Sequence, residues 1–179
     1  MKRPLLFLCA LLGTVSAQTV SAQTASPLKL LLTQDLVTVV TENGKTSEKL
    51  TPSPKSVQPG DTLTQQVSVS NVGKTPLKNA GINVPVPRGT FYLGNTDLGN
   101  TDLGGATPGT NRWQAQYSSD GGKTFGSAPL LKTVAVVENG KSVQKQVVVP
   151  PSEYTNVRWL IATLQPDETL KLGFRVKVK

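Results

Sequence analysis

From Leu170 to Val178 the chain alternates without a break. Leu170, Leu172, Phe174, Val176 and Val178 fall on one side, while Lys171, Arg175, Lys177 and then Lys179 fall on the other. Successive side chains of a β-strand point to opposite faces, so this period of two demands a strand with one dry and one wet face. Such a strand needs a second layer of structure to cover its apolar side. No stretch of the sequence sustains helical periodicity. Short strands separated by Gly, Pro and Asn turns instead predict an all-β, antiparallel sandwich. The basic side of the last strand reads in two ways. Lys171, Arg175, Lys177 and Lys179 form an interaction surface for an anionic partner, or they blunt an edge strand against unwanted pairing, and edge protection is the stronger reading.

A second organising stretch runs from Val57 to Thr90. Pro59-Gly60-Asp61 supplies turn chemistry. Leu63, Gln65, Val67 and Val69 then alternate with Thr64, Gln66, Ser68 and Ser70. Asn71-Val72-Gly73-Lys74 turns the chain into a further run, Leu77 to Val86, with Ile82, Val84 and Val86 on one face. Pro85 and Pro87 cannot donate to a ladder and place the end of that run at a sheet edge. These two runs read as a meander with one wet face.

Met1-Lys2-Arg3, the apolar run Leu5–Leu12 and the small residues around Ala17 and Ala22 have the layout of a secretory signal peptide, 1–22, with cleavage favoured after Ala22. The apolar run is too short to span a bilayer, and no transmembrane span is expected in the mature chain. The only cysteine, Cys9, lies within that run behind bulky residues, which disfavours a lipid anchor. An exported chain without further cysteine must rely on its core rather than on disulfides. Residues 23–179 suit a single β-sandwich domain. Loss of Lys2 and Arg3 leaves 17 basic residues against 11 acidic ones, a net charge of about +6. That charge suits anionic polysaccharide, lipid head groups or an acidic protein surface, or simply solubility. Export and the lack of an aromatic-rich basic motif argue against nucleic acid.

Within the domain, Leu28–Thr41 reads as a long strand kinked or bulged near Gln34, followed by Glu42-Asn43-Gly44-Lys45, a two-residue hairpin turn. A second copy of that turn, Glu138-Asn139-Gly140-Lys141, joins two β-rich runs between Leu130 and Val149 and makes an extra hairpin arm. A tandem LGNTD repeat places Asn95, Asp97, Asn100 and Asp102 in one Gly-rich loop. These are hard oxygen ligands suited to Ca²⁺, but their spacing matches no established calcium loop, and a duplicated surface loop is the simpler reading. Ser118-Ser119-Asp120-Gly121-Gly122-Lys123-Thr124-Phe125 resembles the aspartate-box hairpin, S-x-D-x-G-x-x-F/W. There the aspartate holds a turn and the aromatic packs beneath it, so Ser118, Asp120, Gly122 and Phe125 are expected to form a structural turn. One copy does not make a propeller.

The run PGDTLTQQVSVSNVGKTPLKNAGINVPVPRGT resembles the conserved-repeat domain of bacterial surface proteins, formerly a domain of unknown function. That domain reads as P-G-D/E, an alternating strand, T/S-N-x-G, a turn, another strand and P-x-G-T. VRWLIATLQPDETLKL resembles its closing strands, with Asp167 standing where the pattern carries glycine. The similarity covers about residues 57–178, leaving the central loop and the second arm outside the pattern. It implies an immunoglobulin-like sandwich at the cell envelope, structural or adhesive, with no catalytic residues to carry over.

The chain contains no histidine, which removes Ser-His-Asp and Cys-His catalysis and His-ligated zinc or copper. Two S-x-x-K strings, Ser26–Lys29 and Ser142–Lys145, lie outside the helix start where serine–lysine acylases need them. Asp167-Glu168 are adjacent in a turn, unlike a catalytic carboxylate pair. The expectation is a non-enzymatic, cofactor-free, exported protein of the periplasm, outer membrane or cell surface, bound to an envelope or surface-layer protein. A carbohydrate- or anionic-polymer-binding module is the alternative, with Tyr92, Trp113 and Tyr117 as a platform and Trp159 assigned to the core.

Overall fold

Antiparallel pairing accounts for all three sheets of the computed structural model, which describes residues 26–94 and 112–179. The strands are β1 (Leu28–Glu42), β2 (Lys45–Pro52), β3 (Thr62–Asn71), β4 (Leu77–Pro85), β5 (Thr90–Gly94), β6 (Trp113–Ser118), β7 (Leu131–Glu138), β8 (Lys141–Val148), β9 (Asn156–Leu164) and β10 (Thr169–Val178). A five-stranded sheet in the order β2-β1-β3-β10-β5 packs on a three-stranded sheet, β4-β9-β6, while β7 and β8 form a two-stranded sheet of their own among the described residues. The protein is an all-β antiparallel sandwich with an added hairpin arm. Among the described residues no helix is long and apolar enough to cross a membrane.

Alternation decides which side chains enter the core. Leu63, Val67 and Val69 of β3 and Leu172, Phe174 and Val176 of β10 face Ile82 and Val84 of β4 and Val157, Trp159 and Ile161 of β9, all buried. Burying a side chain of this size stabilises the fold by roughly 1.5–3 kcal/mol. Both Asn-Gly turns have the left-handed backbone that a tight hairpin requires, with φ of 51° and 75° at Asn43-Gly44 and again at Asn139-Gly140.

Three expectations are corrected by the pairing. The stretch Val57–Thr90 is not a meander: β3 lies in the large sheet and β4 in the small one, so Asn71–Lys74 is an arch between layers. β1 carries no bulge at Gln34. Its register with β3 is continuous from Leu28 to Val37, and from Asp35 onward it also pairs with β2. Finally, β10 lies between β3 and β5 in the sheet order, so Lys177, flanked on both sides, protects no edge, whereas Lys171 lies where only β3 pairs with β10 among the described residues. The register shift lies instead between Arg175 and Val176, where β10 meets β5.

The arch is built around Asn71, which is completely buried. Its side-chain amide donates to Thr75 O at 2.9 Å and to Leu164 O at 3.0 Å, and its Oδ1 accepts from Gly73 N at 3.0 Å. Its backbone N–H donates to Glu168 O, and its carbonyl accepts from Asp167 N. Leu164 ends β9 and Asp167 and Glu168 lie in the crossover from β9 to β10, so one residue joins that crossover to the one from β3 to β4. Asp167 has φ of 58°, the left-handed conformation that glycine adopts most easily. Glu168 caps the same turn by accepting from Gln165 N at 2.8 Å, and it pairs with Arg112. Gly73 is required for space, because a Cβ there would stand 2.7 Å from Pro27 Cβ.

Replacing Asn71 strands buried carbonyls, which cost about 1–3 kcal/mol each. Asn71→Ala is expected to lower the unfolding free energy by about 2–4 kcal/mol in urea titrations. Asn71→Asp, with the same shape but no amide donor, should cost nearly as much.

Candidate functional site

Three features carry polar chemistry or unsatisfied surface: the turn at Asp120, the outer face of the large sheet, and the β7–β8 arm. At the first, Ser118 ends β6 fully buried, and its Oγ donates to Asp120 Oδ1 at 2.7 Å while accepting from Gly122 N at 2.9 Å. Asp120 Oδ1 also accepts from the amides of Lys123 and Thr124, each at 3.0 Å, and Oδ2 accepts from Thr124 Oγ1 at 2.6 Å. The Thr124 hydroxyl and amide, then Ser118 and Lys123, hold the Asp120 carboxyl well below the usual carboxylate range. Gly122, at φ of 84°, lies against the Asn156 side chain. Thr155 Oγ1 donates to Ser118 O and accepts from Gly121 N, tying the turn to the start of β9.

Phe125 closes the turn in an unexpected way. Instead of packing only downward, its ring receives the Arg158 guanidinium at 4.0 Å. Gln116 Oε1 holds that guanidinium through Nε at 3.1 Å and Nη2 at 2.5 Å. Gln116 and Arg158 are directly opposed on β6 and β9, a pairing that alternation alone does not reveal. The Asp120 carboxylate is thus engaged through both oxygens within its own turn.

On the outer face of the large sheet, Lys171, Lys177 and Lys179 are exposed, but Arg175 is only 7% exposed. Its guanidinium grips Glu48 of β2 with two hydrogen bonds, Nη1 to Oε1 at 2.9 Å and Nη2 to Oε2 at 2.5 Å. The four cations therefore do not form one basic surface: Arg175 fastens the first hairpin to the sheet. Hydrogen bonding to Arg175 holds the Glu48 carboxyl below its ordinary value. Among the described residues, Arg175 Nε and the buried Thr64 Oγ1 beside it have no hydrogen-bond partner.

The aromatic platform also dissolves. Tyr92, Tyr117 and Trp159 are buried, and Trp113 is half-buried. Tyr92 stacks with Tyr154 at 5.6 Å and meets Tyr117 at 5.5 Å and Phe174 at 5.7 Å, while Trp159 packs 6.0 Å from Phe174. Burial pushes the Tyr92 phenol above its ordinary value. These rings are core, as a thin sandwich requires of its largest side chains. The LGNTD loop with Asn95, Asp97, Asn100 and Asp102 lies outside the described residues. Among the described residues no group of three or more acidic or cysteine side chains is placed to hold a metal ion.

The β7–β8 arm belongs to neither layer. Its base is set by Val149 N donating to Leu130 O, by buried Val149 and Tyr154, and by a Lys132–Glu153 ion pair at 2.6 Å. The pairing of Leu131 with Val148 through Glu138 with Lys141 sorts the arm into two faces. Lys132, Glu138, Lys141 and Lys145 all lie on one. The other carries Leu131, Thr133, Ala135, Val137, Ser142, Gln144, Gln146 and Val148, without a single charge. On it Val137 is 76% exposed, and Leu131 and Val148 are nearly 60% exposed.

No family model, no curated protein and no solved structure matches the chain.

Removing Glu48 leaves the Arg175 charge buried. Because Glu48 itself is 42% exposed, Glu48→Gln is expected to cost only about 1–2 kcal/mol. The lowered Glu48 carboxyl makes its contribution complete above the unfolded value of about 4.3 and lost as pH falls through the folded value. The stability difference between wild type and Glu48→Gln in urea titrations should therefore shrink on acidification. At the other site, Asp120→Ala should speed amide exchange at Lys123 and Thr124 while leaving β9 amides protected, as measured by NMR.

Proposed function

We propose that this protein is an exported, non-catalytic component of the bacterial cell envelope with a structural or protein-interaction role, as a subunit of a surface-layer or outer-membrane assembly. The observation that carries the reading is the β7–β8 arm. An isolated two-stranded ribbon is marginal in water, and one with an uncharged face bearing exposed Leu131, Val137 and Val148 gains stability when that face is covered. The N-terminal leader pattern and the resemblance to a surface-protein repeat support the location. Within the described residues, the carboxylates that hold shifted values are engaged in a turn or in ion pairs, which supports a scaffold rather than a reaction centre.

The arm is the recognition element, and the sandwich is its mount. The exposed trio Lys171, Lys177 and Lys179 supports a second reading, attraction to an anionic envelope polymer, in which the sheet face rather than the arm makes the contact.

Affinity capture from native envelope, followed by mass spectrometry, separates the two readings. Capture of a defined protein set by wild type, lost when Thr133–Gln146 is replaced by a two-residue Asn-Gly turn, is the expected result. Retention of the set by the armless variant but not by Lys171→Glu/Lys177→Glu moves the contact to the sheet. Recovery solely as free monomer counts against both.

A further inference from the structure

The two layers are unequal, and the inequality leaves one strand edge open. β2 pairs with β1 only from Asp35 to Glu42, so Leu28–Gln34 has β3 on one side and no strand on the other among the described residues. The direction of each backbone group along this segment follows from two bonds. Val72 N donates to Pro27 O on the β3 side, and Ser53 N donates to Gln34 O on the β2 side. Backbone groups alternate in direction along a strand, so odd residues bond to β3, while the N–H and C=O of Leu30 and Leu32 face the open edge and the Leu28 N–H donates to Ser26 Oγ.

The side chains along this edge are as exposed as the backbone. Leu30 and Leu32 lie opposite Val69 and Val67, on the inner face, yet the three-stranded layer does not reach over them. They are 52% and 56% exposed, and Leu31 on the outer face is 58% exposed. No proline, bulge or inward charge guards Leu30–Gln34, and Lys29 is the only charged residue in Leu28–Gln34. An open, flat, apolar edge of this kind is a template for another strand.

We infer that this edge is an interface for a second copy of the chain, joined by antiparallel β1–β1 pairing about a two-fold axis at Leu31. The segment is self-complementary in that register. Leu30 meets Leu32 of the partner copy as a hydrogen-bonded pair, Leu31 meets its own counterpart in the closer non-bonded position, and Lys29 meets Thr33. No like charges oppose one another. The four inner leucines of the two copies form one apolar stripe continuous with both cores. Seven residues span roughly 23 Å. An interface of this size is small, so association is weak, with dissociation in the range of about 10–100 μM. The surface is separate from the β7–β8 arm, so this inference stands or falls independently of the proposed role.

Sedimentation velocity of the full chain and amide exchange by NMR, each across a concentration series, test it. The expected result is a monomer near about 1 μM and a dimer well above about 100 μM. The amides of Leu30 and Leu32 should become protected only in the dimer, whereas that of Leu31, bonded to β3, should be protected throughout. Leu31→Lys, which opposes two cations at the axis, should remain monomeric. Leu30→Pro, which removes an amide facing only the open edge, should do the same with the β1–β3 ladder intact. A wild type that stays monomeric at the highest concentration overturns the inference. So does a dimer that survives both substitutions, or protection of Leu30 and Leu32 in the monomer, which would place another part of the same chain on the edge.

Discussion

The hydrogen bonds of Asn71 tie together two passages between the layers, from β3 to β4 and from β9 to β10. A two-layer β fold has to cross from sheet to sheet, and each crossing takes backbone groups away from their ladders. At the end of β3, the Asn71 amide satisfies a carbonyl in its own arch and another at the end of β9, and its backbone bonds the turn that starts β10. The apolar faces of β3, β4, β9 and β10 can meet only because these two crossovers are held side by side. Gly73 and Asp167 accept unusual constraints for the same reason, one of space and one of backbone angle.

Around that point the molecule divides into what is covered and what is left open. Strands β3, β9 and β10 are interior or face the opposite layer and carry the core. The Asp120 turn and the Arg175–Glu48 pair fasten peripheral segments to that core through well-formed polar contacts. Among the described residues, the open half of β1 and the uncharged face of the β7–β8 arm have no such closure. Both are regular strand structure whose apolar side chains meet solvent, and both are therefore surfaces on which further protein gains more than water does.

Much of the strand inventory was legible because it is encoded locally. The alternation of β3, β9 and β10 and the two Asn-Gly turns depend on neighbours in sequence, and the structure places strands and hairpins where those patterns fall. Pairing was not legible. β3 and β4 look like a hairpin because a short polar turn separates two alternating runs, and nothing local distinguishes a hairpin from an arch between layers. A lysine on the outer face of β10 reads the same whether the strand is an edge or has a neighbour on each side. The Arg175–Glu48 contact spans 127 residues of sequence, and the Arg158–Phe125 contact depends on the register of β6 with β9. The aromatic residues misled for a related reason: alternation puts Tyr92 and Tyr117 on a face, but only the second layer decides that the face is dry.

By itself, then, the sequence determined the alternating strands β3, β9 and β10 and the positions of the tight turns, because period, proline and glycine act over a few residues. Tertiary structure decided strand order, the burial of Arg175 and the aromatic cluster, and which strand edge and arm face are left uncovered among the described residues. Those outcomes depend on how five strands lie over three, a mismatch in width that no local pattern contains.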